Sequence, residues 1–359
     1  MPRSFLPILL LAALLPAVGV DRADAQARRA AKVAVIQAEG SPRQDPFMAS
    51  YDFSKVEPMM EAHLDKILGL LAQAGEKGAD LACGPEDIQH IGAYGLHLDV
   101  LNPKTGEDLF SSLAVKVPGP LTDRIAAIAK KYNMYIIAPL YEKVDGKVFN
   151  SAVVFDREGK IIGKHHKTVL PILETWDVAP GDEYEVFETD FCKFAIATCW
   201  EIIFPEISAI YALKGADIIF NPTMGPEHKA GQSLSTGARY ITRARDNLVY
   251  FAPVILGSDG NGIIDYNGKV VAEAVGQKNS VIMAEIDFAK EPTSDSKWWN
   301  TINGSDNDRA IYYLNRRPET YKLLTDPNPP VLERYRDVEL TTGRKAKQLE
   351  AVKAVNYGP

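Results

Sequence analysis

From Ala31 to Asp287 the chain alternates short apolar runs of strand character with amphipathic stretches of helical period, and this alternation limits its fold more than any other feature. "KVAVIQA" (32–38) reads as a strand and "EPMMEAHLDKILGLLAQAGEKG" (57–78) as a helix closed by glycine beyond its basic end. "ADLACGPE" (79–86) reads as a strand ending at Pro85-Glu86, and "LTDRIAAIAKKYN" (121–133) as a helix. "MYIIAPLYEK" (134–143) and "VFNSAVVFD" (148–156) are strands about an Asp145-Gly146 turn, and "KIIGKHHKTVLP" (160–171) continues the sheet into a loop. Strand "KFAIATC" (193–199) precedes Trp200, Ile202, Ile203 and Phe204, which could begin an amphipathic helix, and then the helix "PEISAIYALKGA" (205–216). "DIIFNP" (217–222), the helix "STGARYITRARDN" (235–247), "LVYFAPVI" (248–255), a hairpin at 262–274 around Asn267-Gly268 and "SVIMAEID" (280–287) complete the series.

This order predicts an α/β architecture, and the strand–turn–strand pairs argue against a simple all-parallel sheet. No glycine-rich phosphate-binding loop stands at a strand-to-helix junction, so nucleotide binding has no support. With no repeat or linker inside the series, residues 31–290 read as one domain and residues 291–359 as a polar C-terminal extension lying on the surface or on a partner subunit.

The formal net charge of −7 offers nothing to nucleic acid or to an anionic membrane. Residues 1–25 differ from the rest: Arg3, an apolar run from Phe5 to Val20, then Ala23-Asp24-Ala25. That is the pattern of a secretory signal peptide, and it predicts an exported protein, periplasmic or secreted. Pro7 and Pro16 interrupt the run, which is short for a membrane span, so no stable anchor is expected; a retained anchor is the alternative. Three cysteines are too few for a disulfide scaffold, and the odd number leaves one unpaired in a monomer. Cys83 and Cys192 lie in apolar runs and read as core, with a disulfide between them left open; Cys199 has a reason to be free.

Cys199 stands where a strand turns into a helix. Such a turn exposes the sulfur above the sheet, and the unpaired N–H groups of the following helix favour a thiolate and an oxyanion. A buried structural cysteine is the competing reading. The base is not obvious among six histidines: His165 and His166 are adjacent and face opposite ways in a strand, without a third ligand for zinc. A desolvated carboxylate can serve instead, and Glu86 ends an apolar strand. Lys167 ends another and could hold the thiolate or polarise an oxyanion, with Glu174 a second carboxylate seven residues on.

Taken in order, Pro85-Glu86, "GKHHKTVLPILE", "ATCWEIIFPE", "GADIIFNPT" and "RARDNLVYF" resemble the nitrilase superfamily of carbon–nitrogen hydrolases, over residues 31–290 and weakly through "RRPETY" (316–321). The resemblance implies a four-layer α-β-β-α sandwich, with Glu86 as general base, Lys167 as stabiliser of the tetrahedral intermediate and Cys199 as nucleophile. It makes Glu174 the glutamate that positions substrate, and Trp200 is expected to position substrate beside the thiol, with Glu201 an orienting carboxylate. Within "RARDN" (243–247), Asp246 replaces a usual glutamate, and the motif reads as structural.

No metal or organic cofactor is expected. The substrate is a small amide, nitrile or carbamoyl compound: amide hydrolysis through a thioester is the broadest reading, with nitrilase or N-carbamoyl amidohydrolase as rivals. A silent binding protein or acyltransferase on the same scaffold is the reading of another class. "GKHHK" and "CWE" look like true nitrilases, whereas Ile172 stands where nitrilases commonly carry threonine and Phe204-Pro205-Glu206 is common in amidases and related branches. Members of the superfamily usually form homodimers or larger homo-oligomers through outer helices, and the extension after residue 290 could brace such a dimer.

Overall fold

The computed structural model describes residues 29–42, 49, 51–93, 100–225, 231–257 and 260–338; the signal-peptide reading of residues 1–25 lies outside them. In chain order the first strands are β1 (Ala30–Gln37), β2 (Leu81–Cys83), β3 (Tyr135–Val144), β4 (Lys147–Phe155) and β5 (Ile161–His166). They are followed by β6 (Val186–Glu188), β7 (Lys193–Ile196), β8 (Ile218–Thr223), β9 (Tyr250–Ile255), β10 (Asn261–Ile264), β11 (Val270–Ala274) and β12 (Ser280–Asp287). β12 returns to the first sheet, so the order is β12-β1-β2-β3-β4-β5 in one six-stranded sheet and β11-β10-β9-β8-β7-β6 in the other. β1, β2 and β3 run parallel, as do β7, β8 and β9, while β12, β4 and β6 pair antiparallel with their neighbours.

The period of two in these strands divides their side chains between two cores. In β1, Val33 and Val35 face the second sheet, whereas Ala34 and Ile36 face helices α1 (Val56–Glu76) and, past the short α2 (Leu109–Leu113), α3 (Pro120–Tyr132). In β7 and β8, Phe194, Ile196, Ile218 and Phe220 enter the inter-sheet core. Ala195 and Ile219 turn the other way, toward α4 (Pro205–Leu213) and α5 (Ala238–Asn247). Helix, sheet, sheet and helix form four layers. Each fully buried Leu, Ile or Phe contributes about 1.5–3 kcal/mol against exposure, so strands apolar on both faces are stable only with both faces covered.

Local chemistry sets the element ends. α3 opens with Pro120 at its first turn and closes on Asn133 at φ 54°. The helix expected directly after Cys199 is instead a 3-10 turn, Cys199–Ile203, and α4 starts anew with Pro205 in its first turn. The strand expected over 79–86 pairs only at Leu81–Cys83, after which the chain leaves the sheet toward Glu86. The helix expected over 235–247 is split at Gly237 into a 3-10 turn and α5. β6 and α2 were not read from the sequence. Cys83 and Cys192 are both buried in the inter-sheet core, with no disulfide between them.

After residue 291, α6 (Lys297–Asn303) and α7 (Asp308–Leu314) follow, then 3-10 turns. α7 is fastened to the second sheet: Arg309 donates to the Leu248 carbonyl at 2.6 Å and to Asp217 at 3.2 Å, and the Tyr313 hydroxyl donates to the Asn247 carbonyl at 2.7 Å. The extension is less polar in its surface than in its composition, leaving Trp298, Leu314, Leu323, Leu324, Val331 and Tyr335 in solvent. Among the described residues no helix is long and apolar enough to cross a membrane.

Candidate active site

Because β2 and β5 point the same way in the first sheet, and β7 and β8 in the second, four carboxyl-terminal strand ends can face one another across the sandwich. Open α/β sheets commonly bind ligands at such ends. Glu86 lies three residues beyond β2 and Lys167 one residue beyond β5, both buried. The Lys167 N–H extends the pairing by donating to the Asn150 carbonyl on β4 at 2.9 Å, which fixes where its side chain begins.

The Lys167 ammonium donates to Glu86 Oε1 at 3.1 Å and to Glu174 Oε2 at 2.6 Å. Asn150 Nδ2 lies between the same two carboxylates, 2.8 Å from Glu86 Oε1 and 2.7 Å from Glu174 Oε1. The Met224 N–H, just past β8, donates to Glu86 Oε2 at 2.9 Å, and the Tyr141 hydroxyl reaches Glu174 Oε1 at 3.4 Å. Two buried carboxylates therefore share one ammonium and one amide. Burial disfavours the Lys167 charge, but Glu86 and Glu174 outweigh it and hold the lysine proton more tightly than usual. Asp87, next in the chain, is pushed up to about 7 by burial, against the opposing N–H groups of Gly92 and Ile91.

Cys199 opens its 3-10 turn at φ 48°, in the left-handed region that costs a side-chain-bearing residue about 1–2 kcal/mol. A turn this sharp aims the side chain out of the sheet. The thiol lies in the field of Glu86, Lys167 and Glu174, near the Thr223 side chain at the end of β8. Burial first, then the Glu86 charge, pushes it up to about 12, against the opposing pull of Lys167 and Thr223. Burial thus favours the thiol over the thiolate, and a neighbouring base is needed to take its proton at the moment of attack.

Glu86, Lys167, Glu174 and Cys199 thus converge. Trp200 follows the thiol in the turn and is 41% exposed, at the rim rather than within the hydrogen-bonded cluster. Glu201 is fully buried and faces away from the cluster, onto His165 and Thr168. Arg243 of "RARDN" donates to the carbonyls of Ile202 and Ile203 at 3.1 and 3.2 Å, holding the end of the cysteine turn, while Asp246 is exposed.

Asn150, Thr223 and the Met224 N–H were not singled out from the sequence. Asn150 carried a signal, since an amide in the middle of an apolar strand must find buried partners. Among the described residues no group of three or more His, Cys, Asp or Glu side chains could hold a metal ion.

A thiol held in the field of a carboxylate–ammonium pair, on the rim of an α-β-β-α sandwich, is the arrangement of the nitrilase-superfamily hydrolases. The chain belongs to the carbon-nitrogen hydrolase family, whose model matches residues 32–291, and is a hydrolase of carbon–nitrogen bonds other than peptide bonds. It is 31% identical over 271 residues to omega-amidase NIT2-A of Xenopus laevis, covering 67% of this chain and 90% of that one. With the bifunctional nitrilase/nitrile hydratase NIT4A of Lupinus angustifolius it shares 34% identity over 172 residues, 45% of this chain and 49% of the other. An amidase from Nesterenkonia sp. has the same fold, with TM-score 0.57 at 18% identity, covering 81% of this chain and 95% of the other.

Proposed function

We propose that this protein is an exported amidase that hydrolyses a small non-peptide amide through a thioester on Cys199, releasing ammonia or an amine. The observation that carries the mechanism is the 3.1 Å contact of the Lys167 ammonium with Glu86, in whose field the Cys199 thiol lies. Glu86 takes the thiol proton as sulfur attacks the carbonyl carbon. Negative charge develops on the carbonyl oxygen, where the Lys167 ammonium and the backbone N–H of residue 200 meet it. The C–N bond then breaks, and the proton held by Glu86 passes to the leaving nitrogen. Water, deprotonated by the same carboxylate, attacks the thioester; acid and thiol are regenerated. Glu174 and Asn150 keep Lys167 and Glu86 aligned through these steps, and Trp200 walls the entrance against the substrate.

Amide is favoured over nitrile because the omega-amidase relative aligns over two thirds of this chain, the nitrilase relative over less than half. Export rests on the sequence pattern of residues 1–25 alone. Assembly into a homodimer or larger homo-oligomer is supported by the apolar side chains that the extension exposes, Leu314 at 85%. Ammonia release from a panel of short amides, nitriles and N-carbamoyl amino acids tests the reading. Amides should be hydrolysed fastest, and Cys199→Ala should abolish release; turnover of nitriles alone would replace the amidase reading with nitrilase.

A further inference from the structure

We propose that His165 and Glu201 form a positioning unit that fixes the Lys167 strand end against the Cys199 turn. The proposal rests on the reading of Cys199 as nucleophile and Lys167 as its oxyanion partner. The two residues belong to different sheets, with no shared strand to set their separation. Glu201 spans the gap: its Oε1 accepts the Thr168 N–H at 2.8 Å and the Thr168 hydroxyl at 2.7 Å, one residue beyond Lys167. Its Oε2 accepts the Thr198 N–H at 2.6 Å, one residue before Cys199.

His165 completes the unit from β5. Its Nε2 lies 2.9 Å from Glu201 Oε2 and its Nδ1 2.9 Å from Glu185 Oε2, and the ring is fully buried. Only an imidazolium donates from both nitrogens to two carboxylates. Among the described residues, Tyr211 of α4 packs edge-on at 6.3 Å, the Tyr184 ring meets Tyr211 at 5.7 Å, and the Lys214 ammonium donates to the Tyr184 carbonyl. Burial opposes the His165 charge, but Glu201 and Glu185 raise it to about 9, and His165 in turn helps hold Glu201 below its ordinary range. The neighbouring His166 turns the other way, onto Glu142 and Phe149.

Iodoacetamide is the probe, because it reports on Cys199 without requiring turnover. In His165→Gln the limiting alkylation rate of Cys199 should fall about tenfold or more, with half-saturation changed less than about threefold, as expected for lost alignment rather than lost binding. His166→Gln should stay within about twofold of wild type. In wild-type protein, nitrogen-labelled histidine should show both ring N–H groups of His165 at neutral pH, with the Nδ1 or Nε2 proton lost as pH rises through about 9. If His165→Gln fails to fold, Thr168→Val, which removes one hydroxyl donor, decides; its limiting rate should fall about threefold. A folded His165→Gln with the wild-type rate, an unchanged Thr168→Val, or a neutral His165 ring would each overturn the proposal. Ammonia release that survives Cys199→Ala would instead sink the reading of Cys199 as nucleophile while leaving the His165 resonances as described.

Discussion

At the residue scale, the backbone of Cys199 is strained. Its φ of 48° is a conformation glycine adopts freely and alanine does not. Cys199→Gly should therefore be more stable than Cys199→Ala by about 1 kcal/mol in denaturant unfolding, although both lack the nucleophile. Equal stabilities would mean that the turn is not strained. The charge balance gives a second expectation. Glu86 and Glu174 already face a single Lys167 ammonium, and burial with the Glu86 charge pushes the thiol up to about 12. Stoichiometric alkylation of the resting enzyme should thus keep accelerating as pH rises beyond 9, the ordinary thiol value. A plateau near neutral pH would mean that a thiolate is already formed and Glu86 is not needed as its base.

At the element scale, the end of β5 has to hold still, and Gly181 shows how tightly it is held. The Gly181 N–H donates to the Lys167 carbonyl at 2.9 Å, and a Cβ at residue 181 would sit 2.3 Å from the His166 carbonyl oxygen. Gly181→Ala should displace the strand end that carries Lys167 and lower kcat about a hundredfold, with a smaller change in KM, in steady-state ammonia release. Unchanged kcat would show that the strand end can shift without cost to the site. These elements were legible to differing degrees. Alternation of apolar residues located most of the strands, and Glu86 and Lys167 were visible because each closes such a run. The break between Cys199 and α4 was not, because the apolar spacing of Trp200 to Phe204 fits a helix and only the backbone of Cys199 and Pro205 divides it. Three-residue β6 is too short to carry a period. The contacts of Asn150, Thr168 and Met224 join elements distant in sequence, and no local pattern encodes their pairing.

At the scale of the whole molecule, two parallel-cored sheets present their strand ends to a common site, and the extension beyond residue 291 has a different character. α7 is fastened by Arg309, but Trp298 is 70% exposed and Leu323 and Leu324 also lie in solvent. Apolar side chains in such number point to a covered surface, which supports the proposed homo-oligomer. Leu314→Glu combined with Leu323→Glu should shift sedimentation toward monomer at micromolar concentration while leaving the fold intact by circular dichroism. An unchanged sedimentation coefficient would place the contact elsewhere. Composition did not foretell this, since the same segment is rich in charge and proline and reads as polar; its apolar residues stand out only once their exposure is known.

The central claim is that Cys199 carries the acyl group between two half-reactions served by Glu86. Rapid acid quenching of the enzyme during turnover of a short aliphatic amide, followed by peptide mass spectrometry, tests it most directly. A peptide containing Cys199 should be heavier by one acyl group in place of the thiol hydrogen, with no such adduct in Cys199→Ala and with the adduct lost when the quenched protein is neutralised and treated with hydroxylamine. An acyl adduct on any other residue, or steady ammonia release from Cys199→Ala, would contradict it.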